Sequence, residues 1–175
     1  MTRKPLIPIA LICSSVALAT TLWADSAPPH FGVPWSGIFH DWEDQTMCMN
    51  NPYQGSNDGT ELVANRNCDQ NDPGSRIFVL PVDDHVELGF NTAPDHEPKC
   101  IDLRNSEQWD GNWITRYTCN QTDAQKWDWD GTSIHYHANP AYCISVNSDG
   151  RLVLWHCIGQ GNQKFVVTDG RRGLD

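Results

Sequence analysis

The chain has 175 residues, seven cysteines and a formal net charge of −10. With 39% hydrophobic and 19% charged residues it is neither a disordered polyanion nor a bundle of membrane helices, and its length suits one domain able to bury its own core. So acidic a chain has little basic charge with which to neutralise phosphates or to adhere to anionic lipid, so neither nucleic acid nor a membrane surface is an expected partner.

From the N-terminus, residues 1–24 read as an export signal. Arg3 and Lys4 precede a mostly apolar, uncharged stretch from Leu6 to Leu18, and Ala17-Leu18-Ala19 and Ala24 offer small residues for cleavage. The stretch is too short and too rich in Ser and Thr for a membrane span, and no second one follows. The expected location is therefore secreted, extracellular or periplasmic. Removing the segment takes away Cys13 and two positive charges and leaves six cysteines. An even number in an exported chain signals disulfides, and the lack of any C-x-x-C pair argues against a zinc ribbon. Residues 25–37 read as an N-terminal extension.

The remaining cysteines are Cys48, Cys68, Cys100, Cys119, Cys143 and Cys157. Six cysteines allow 15 pairings in principle. Taken in order, the partners lie 20, 19 and 14 residues apart, and the pairs recur at a loose spacing of about 45 residues. The flanks recur as well. CMNN, CIDL and CISV follow the first cysteine of each pair, and the β-rich runs WITRYTC (113–119) and RLVLWHC (151–157) lead to the second cysteine in two of them. Eight residues beyond Cys119 and Cys157 stand Trp127 and Phe165, each two residues after a glutamine, Gln125 or Gln163. The first repeat offers Phe78, ten residues after Cys68, as a degraded counterpart.

No sustained 3.6-residue apolar period appears. Short runs of β-branched and aromatic residues, such as RIFVLPV, WITRY, RLVLW and KFVV, alternate with Gly, Pro, Asn and Asp turns. The expected fold is all-β, with about twelve short strands, four per repeat, closed around a pseudo-threefold axis so that no sheet edge stays open. Trp127, Phe165 and Phe78 are the expected shared core. Gln125 and Gln163 are expected to tie a loop to backbone amides.

Three repeats, each with an internal cysteine pair, two of them ending in Q-x-aromatic, resemble the ricin-type β-trefoil lectins. The resemblance covers residues 38–170, divided at about 38–84, 85–131 and 132–170, with 171–175 as a tail. It implies one disulfide per repeat and one shallow sugar site per repeat. In such a site an Asp two residues after the first cysteine accepts bonds from hydroxyls. An aromatic two residues before the second cysteine takes the sugar's apolar face, and Asn-Gln precedes the core aromatic. Carried over, repeat two has Asp102, Thr115, Tyr117 and Gln125, with Ala124 where the family has Asn. Repeat three has Trp155, Asn162 and Gln163, with Ser145 in place of the Asp. Repeat one has Asn50 and Arg66 at the key positions and is expected to bind no sugar.

Other constellations carry less. His135 and His137 form H-x-H, which a strand places on one face, but no third ligand is indicated and no metal or cofactor is expected. No serine elbow, H-E-x-x-H or phosphate loop is present, so no catalytic residues and no enzymatic activity are expected. Asn120-Gln121-Thr122 fits a glycosylation acceptor. Trp109, Trp113 and Trp129 with Tyr117 make the middle repeat aromatic-dense, read as packing or as a surface patch. The leading function is a secreted, non-catalytic, carbohydrate-binding lectin with glycans, galactose-type sugars among them, as partners. The alternative is a non-catalytic cell-binding subunit of a secreted toxin, like the lectin-like chains of cytolethal distending toxins, contacting its partner subunits through residues 25–45, with Pro28, Pro29, Trp35 and Trp42, or through an aromatic patch. A small secreted hydrolase is a weaker reading.

Overall fold

The computed structural model describes residues 34–52, 57–91 and 98–172. The expected export signal and most of the N-terminal extension, with Pro28 and Pro29, lie outside these residues. Among the described residues the regular structure is thirteen strands with single 3-10 turns and no α-helix.

The strands follow the threefold plan. Repeat one contributes β1 (Trp35–Asp41), β2 (Cys48–Asn50), β3 (Thr60–Glu61), β4 (Val63–Asn65) and β5 (Ile77–Val82). Repeat two contributes β6 (His85–Asn91), β7 (Pro98–Leu103), β8 (Ile114–Thr118) and β9 (Trp127–Trp129). Repeat three contributes β10 (Ile134–Tyr136), β11 (Tyr142–Val146), β12 (Leu152–His156) and β13 (Phe165–Arg172). The count is one above twelve because Leu62 interrupts the first repeat's third strand, between β3 and β4. All pairings are antiparallel. β13 pairs with β1, β1 with β5, β5 with β6, β6 with β9 and β9 with β10. The Phe165 amide donates to the Thr132 carbonyl and brings β13 back beside the entry to β10. This closed ring of six strands leaves no long edge exposed. Strand pairing starts at Trp35, opposite Arg172 and Val79, three residues before the expected start of the domain.

The other strands form three hairpins that cap one end of the ring: β2–β4, β7–β8 and β11–β12. They meet around the pseudo-axis through backbone bonds. Leu62 N donates to Ile114 O, and Leu152 N donates to Leu62 O. All three side chains are buried, and they join a core of Phe39, Phe90, Trp127, Tyr136, Phe165 and aliphatic neighbours. Alternation explains why so polar a sequence can build this core, since every second strand residue faces inward. The Trp127 indole nitrogen is satisfied by the Ile101 carbonyl at 3.0 Å. Gly89 has no substitute, because a Cβ there would lie 2.3 Å from the Lys99 carbonyl and 2.4 Å from the Phe78 ring.

Repeat one departs from the expected alignment by one residue. Counted from the barrel pairings, the counterpart of Trp127 and Phe165 at the head of the fourth strand is Ile77, fully buried in the central cluster. Phe78 is its neighbour on the opposite face of β5, buried against Gly89 and outside that cluster. The glutamine position is then Ser75, whose hydroxyl donates to the Asp69 carbonyl. The hairpin shows the same shift. Tyr117 faces Cys100 and Trp155 faces Cys143, whereas the residue facing Cys48 is Asn65, not Arg66. Arg66 instead extends into solvent beside Asp44. Counting back from Cys68 misplaces the platform because the segment between β4 and that cysteine is longer than its counterparts, and the aromatic Phe78 draws the core position one residue beyond Ile77, the head of β5.

The three disulfides are Cys48–Cys68, Cys100–Cys119 and Cys143–Cys157, one within each repeat.

Candidate functional site

The β7–β8 hairpin builds the fullest site. Asp102 on β7 lies opposite Thr115 on β8, and Cys100 lies opposite Tyr117. Paired residues share a face and so do residues two apart, so Asp102, Thr115 and Tyr117 all line one side of the hairpin. There they border a groove of about 350 Å³ that also takes in Arg104, Asn105, Asn120 and Gly59. Tyr117 is 41% exposed and lines the groove. Asp102 and Thr115 sit deep, at 7% and 1% exposure.

Asp102 is the unusual group. Its Oδ2 accepts a 2.9 Å bond from Gln125 Nε2, and no cation among the described residues pairs with it. Burial pushes its carboxyl up to about 6; the Gln125 bond opposes the rise and repulsion from Asp58 adds to it. A carboxylate kept near the bottom of a groove with one partner retains lone pairs for a hydroxyl-bearing ligand.

Gln125 is fully buried. It accepts from the Asn120 amide and donates to the Thr118 carbonyl as well as to Asp102. Gln163 repeats the clasp, accepting from Ile158 N and donating to His156 O. Both glutamines thus tie the loop after the hairpin, and their reach toward a ligand is indirect. Gln125 fixes the orientation of Asp102.

A loop from the first repeat forms part of the second repeat's groove. Arg116, almost fully buried on β8, donates to the carbonyls of Asn57 and Pro52 and to the Thr60 hydroxyl. Lys99 bridges Asp58 and Thr118 at 2.9 and 2.8 Å, and the Thr118 amide also donates to Asp58. Partial burial works against the Asp58 charge, but the bonds from Lys99 and Thr118 outweigh it and hold the carboxyl below its ordinary range. This network presents Gly59 to the groove. Sequence reasoning missed Gly59, Asn105 and Arg104. Asn105 adopts a left-handed φ of 56°, a conformation for which Asn has a known tolerance but which its position in the repeat did not signal.

Repeat three places Trp155 on β12 at 41% exposure, opposite Cys143. Asn162 donates from Nδ2 to the Ser145 hydroxyl and to the Val146 carbonyl, both at 3.0 Å, while its Oδ1 is buried without a partner. Ser145, standing where repeat two has Asp102, is therefore engaged by Asn162. The loop 107–112 of repeat two leans on this strand. Gly111 N donates to Leu154 O, and Asp110 accepts from the His156 amide at 2.8 Å. A Cβ at Gly111 would stand 3.7 Å from the Trp109 ring and 3.8 Å from the Trp155 ring, so two exposed tryptophans from different repeats flank one glycine. Of the aromatics weighed for a patch, Trp109 and Tyr117 are exposed. Trp129 is buried, and Trp113 is covered by the Arg104 guanidinium at 4.4 Å and that of Arg151 at 5.6 Å.

In repeat one Asn50 donates to the Asn67 carbonyl, and Asn65 occupies the platform position. The adjoining cavity, about 880 Å³, is lined by Asn50, Asn65, Asp72, Glu61 and Arg151, with no aromatic ring among the described lining residues. Trp35, weighed above as a partner contact, is 5% exposed in the core, whereas Trp42 is 50% exposed. His135 and His137 do not act together. His135 binds the Pro140 carbonyl and Asp130, and His137 turns toward Asp128 and Asp84.

Three interlocked four-strand units with a hairpin cap define a β-trefoil. The family model of the ricin-type beta-trefoil lectin domain matches residues 91–174 of the chain. The chain is 26% identical over 188 residues to serine protease 1 of Rarobacter faecitabidus, an alignment covering 74% of this chain and 33% of that protein. It therefore spans about a third of the length of the curated relative it matches. Among solved structures it superposes on the designed threefold-symmetric protein ThreeFoil with a TM-score of 0.66 at 14% identity, covering 77% of this chain and 98% of that one. It superposes on the C-half of an earthworm R-type lectin in complex with GalNAc with a TM-score of 0.56 at 10% identity, covering 75% and 96%.

Proposed function

We propose that this chain is a secreted carbohydrate-binding protein whose principal sugar site is the repeat-two groove, with a second site at Trp155. The observation that carries the reading is the pairing, on one hairpin face, of an exposed tyrosine with a deep carboxylate that no cation among the described residues pairs with. A pyranose has that double character, with C–H groups on one face for Tyr117 and hydroxyls at its rim for Asp102. Galactose-type sugars are the first class to test, given the GalNAc complex of the earthworm lectin. The second site has Ser145, held by Asn162, where repeat two has Asp102. Its strength would come from stacking on Trp155 and Trp109, which suits a glycan long enough to span two rings.

Each site is shallow and makes few contacts, so monovalent affinity should fall between millimolar and micromolar. A glycan screen on the full chain identifies the ligand, and titration calorimetry on variants assigns it. Tyr117→Ala should remove binding at repeat two and leave a weaker phase that Trp155→Ala removes. The double variant should bind nothing in the screen while keeping the wild-type melting curve. A double variant that binds like the wild type overturns both site assignments.

A further inference from the structure

A second cluster lies away from both hairpin grooves, where the turn joining repeats one and two meets repeat three. Asp84, at the β5–β6 turn, His85, at the head of β6, and His137, just after β10, each place one ligating atom within 4.8 Å of the others. His85 Nδ1 stands 3.3 Å from Asp84 Oδ1, and His137 Nε2 faces the same oxygen at 3.8 Å. The two imidazoles tilt against each other with centroids 5.3 Å apart. The other nitrogen of His137, Nδ1, lies 2.8 Å from Asp128 Oδ1. That bond places the ring proton on Nδ1 and leaves the Nε2 lone pair directed at Asp84. A carboxylate on the far nitrogen is the arrangement that orients a histidine and raises its basicity as a ligand. Asp84 and Asp128 also border a recess of about 510 Å³, with room for ion-bound water.

We propose that Asp84, His85 and His137, oriented by Asp128, form a binding site for one divalent transition-metal ion of the zinc class. Two imidazoles and one carboxylate suit zinc, nickel or cobalt, whereas calcium and magnesium take oxygen ligands. Ligands about 2.0–2.1 Å from a tetrahedral ion stand roughly 3.3 Å apart, so closure requires a small movement. The side chain best placed to make it is Asp84, 80% exposed at a turn tip. A bound ion would staple the β5–β6 turn to the segment after β10, joining repeat three to the rest of the barrel at a point where no disulfide crosses between repeats. The chain's acidity favours a cation there. A rival trio, His135 with Cys143 and Cys157, supplies no thiolates because both sulfurs are in a disulfide. None of the four residues takes part in the sugar sites.

The test uses the full chain, untagged, freed of metal by chelator and dialysis, and kept non-reducing. Zinc titration by calorimetry should give one ion per chain, and cobalt should give a visible d–d spectrum that zinc erases. His85→Ala and His137→Ala should each weaken zinc binding at least tenfold, and Asp128→Asn about tenfold. His135→Ala should bind as the wild type does. If either histidine variant fails to melt cooperatively, Asp84→Asn at the exposed turn tip reads the same site. No zinc uptake up to millimolar ion, or wild-type affinity in Asp84→Asn and the histidine variants, overturns the proposal.

Discussion

Reduction of the three disulfides is expected to abolish the folded state at 37 °C. The crosslinks close segments with sequence separations of 20, 19 and 14 residues. Each closure removes denatured-chain entropy worth about 3 kcal/mol. Together they amount to about 9 kcal/mol, comparable with the whole stability of an ordinary domain. Each disulfide also ties the end of a cap hairpin to the loop behind it, two residues from the platform in the cases of Tyr117 and Trp155. The caps should therefore loosen before the barrel does. Thermal melts followed by circular dichroism, with and without reductant, measure the effect once a thiol assay shows the bridges open. The melting temperature should fall by at least about 20 °C, or the cooperative transition should vanish. A fully reduced protein that melts with the oxidised one would show that strand packing alone holds the fold.

Asp102→Asn is expected to stabilise the protein at pH 7.5 while it weakens glycan binding. The wild-type carboxyl rises from 3.8 to about 6 on folding because burial disfavours its charge. The folded protein thus holds this proton more tightly than the unfolded chain does. The stability associated with that preference is fully present below about pH 3.8, declines as pH rises, and is gone once pH exceeds about 6. At neutral pH the fold carries an ionised buried group. The shift corresponds to at most about 3 kcal/mol, and screening at the open mouth of the groove reduces the expected gain to about 1–2 kcal/mol. Asparagine can still accept the Gln125 bond, so the clasp survives. Denaturant melts should show the variant ahead at pH 7.5 and level with the wild type near pH 3.5. Binding at repeat two should weaken in the wild type as pH falls through 6, and the variant's residual binding should be flat across that range. A variant less stable at pH 7.5 would mean that the fold itself requires the carboxylate.

Much of this was legible in the sequence. The cysteine spacing and the two Q-x-aromatic copies carry the threefold plan, and Asp102, Thr115 and Tyr117 come together on one face because a hairpin preserves both alternation and pairing. Repeat one was misread at Phe78 and Arg66. A longer segment before Cys68 breaks the count back to the platform at Asn65, and the aromatic Phe78 masks Ile77 as the core residue, because the inward alternation that selects both is visible only once strands are paired. The groove contribution of Gly59 and the His85–His137 contact were hidden for a different reason. Both join residues from different repeats, and nothing local to either segment encodes the partner.

The Arg116 and Lys99 braces have a consequence for how such a molecule could arise or be taken apart. Since repeat one's loop forms a rim of repeat two's groove, a single repeat is not a self-sufficient binding unit. An excised or ancestral 45-residue copy would have to assemble as a ring of three chains before any one of them had a complete groove. It also explains what holds repeat one in place without a platform of its own. Its loop serves as a buttress for its neighbour, so loss of its own recognition chemistry leaves it bound to the assembly by architecture.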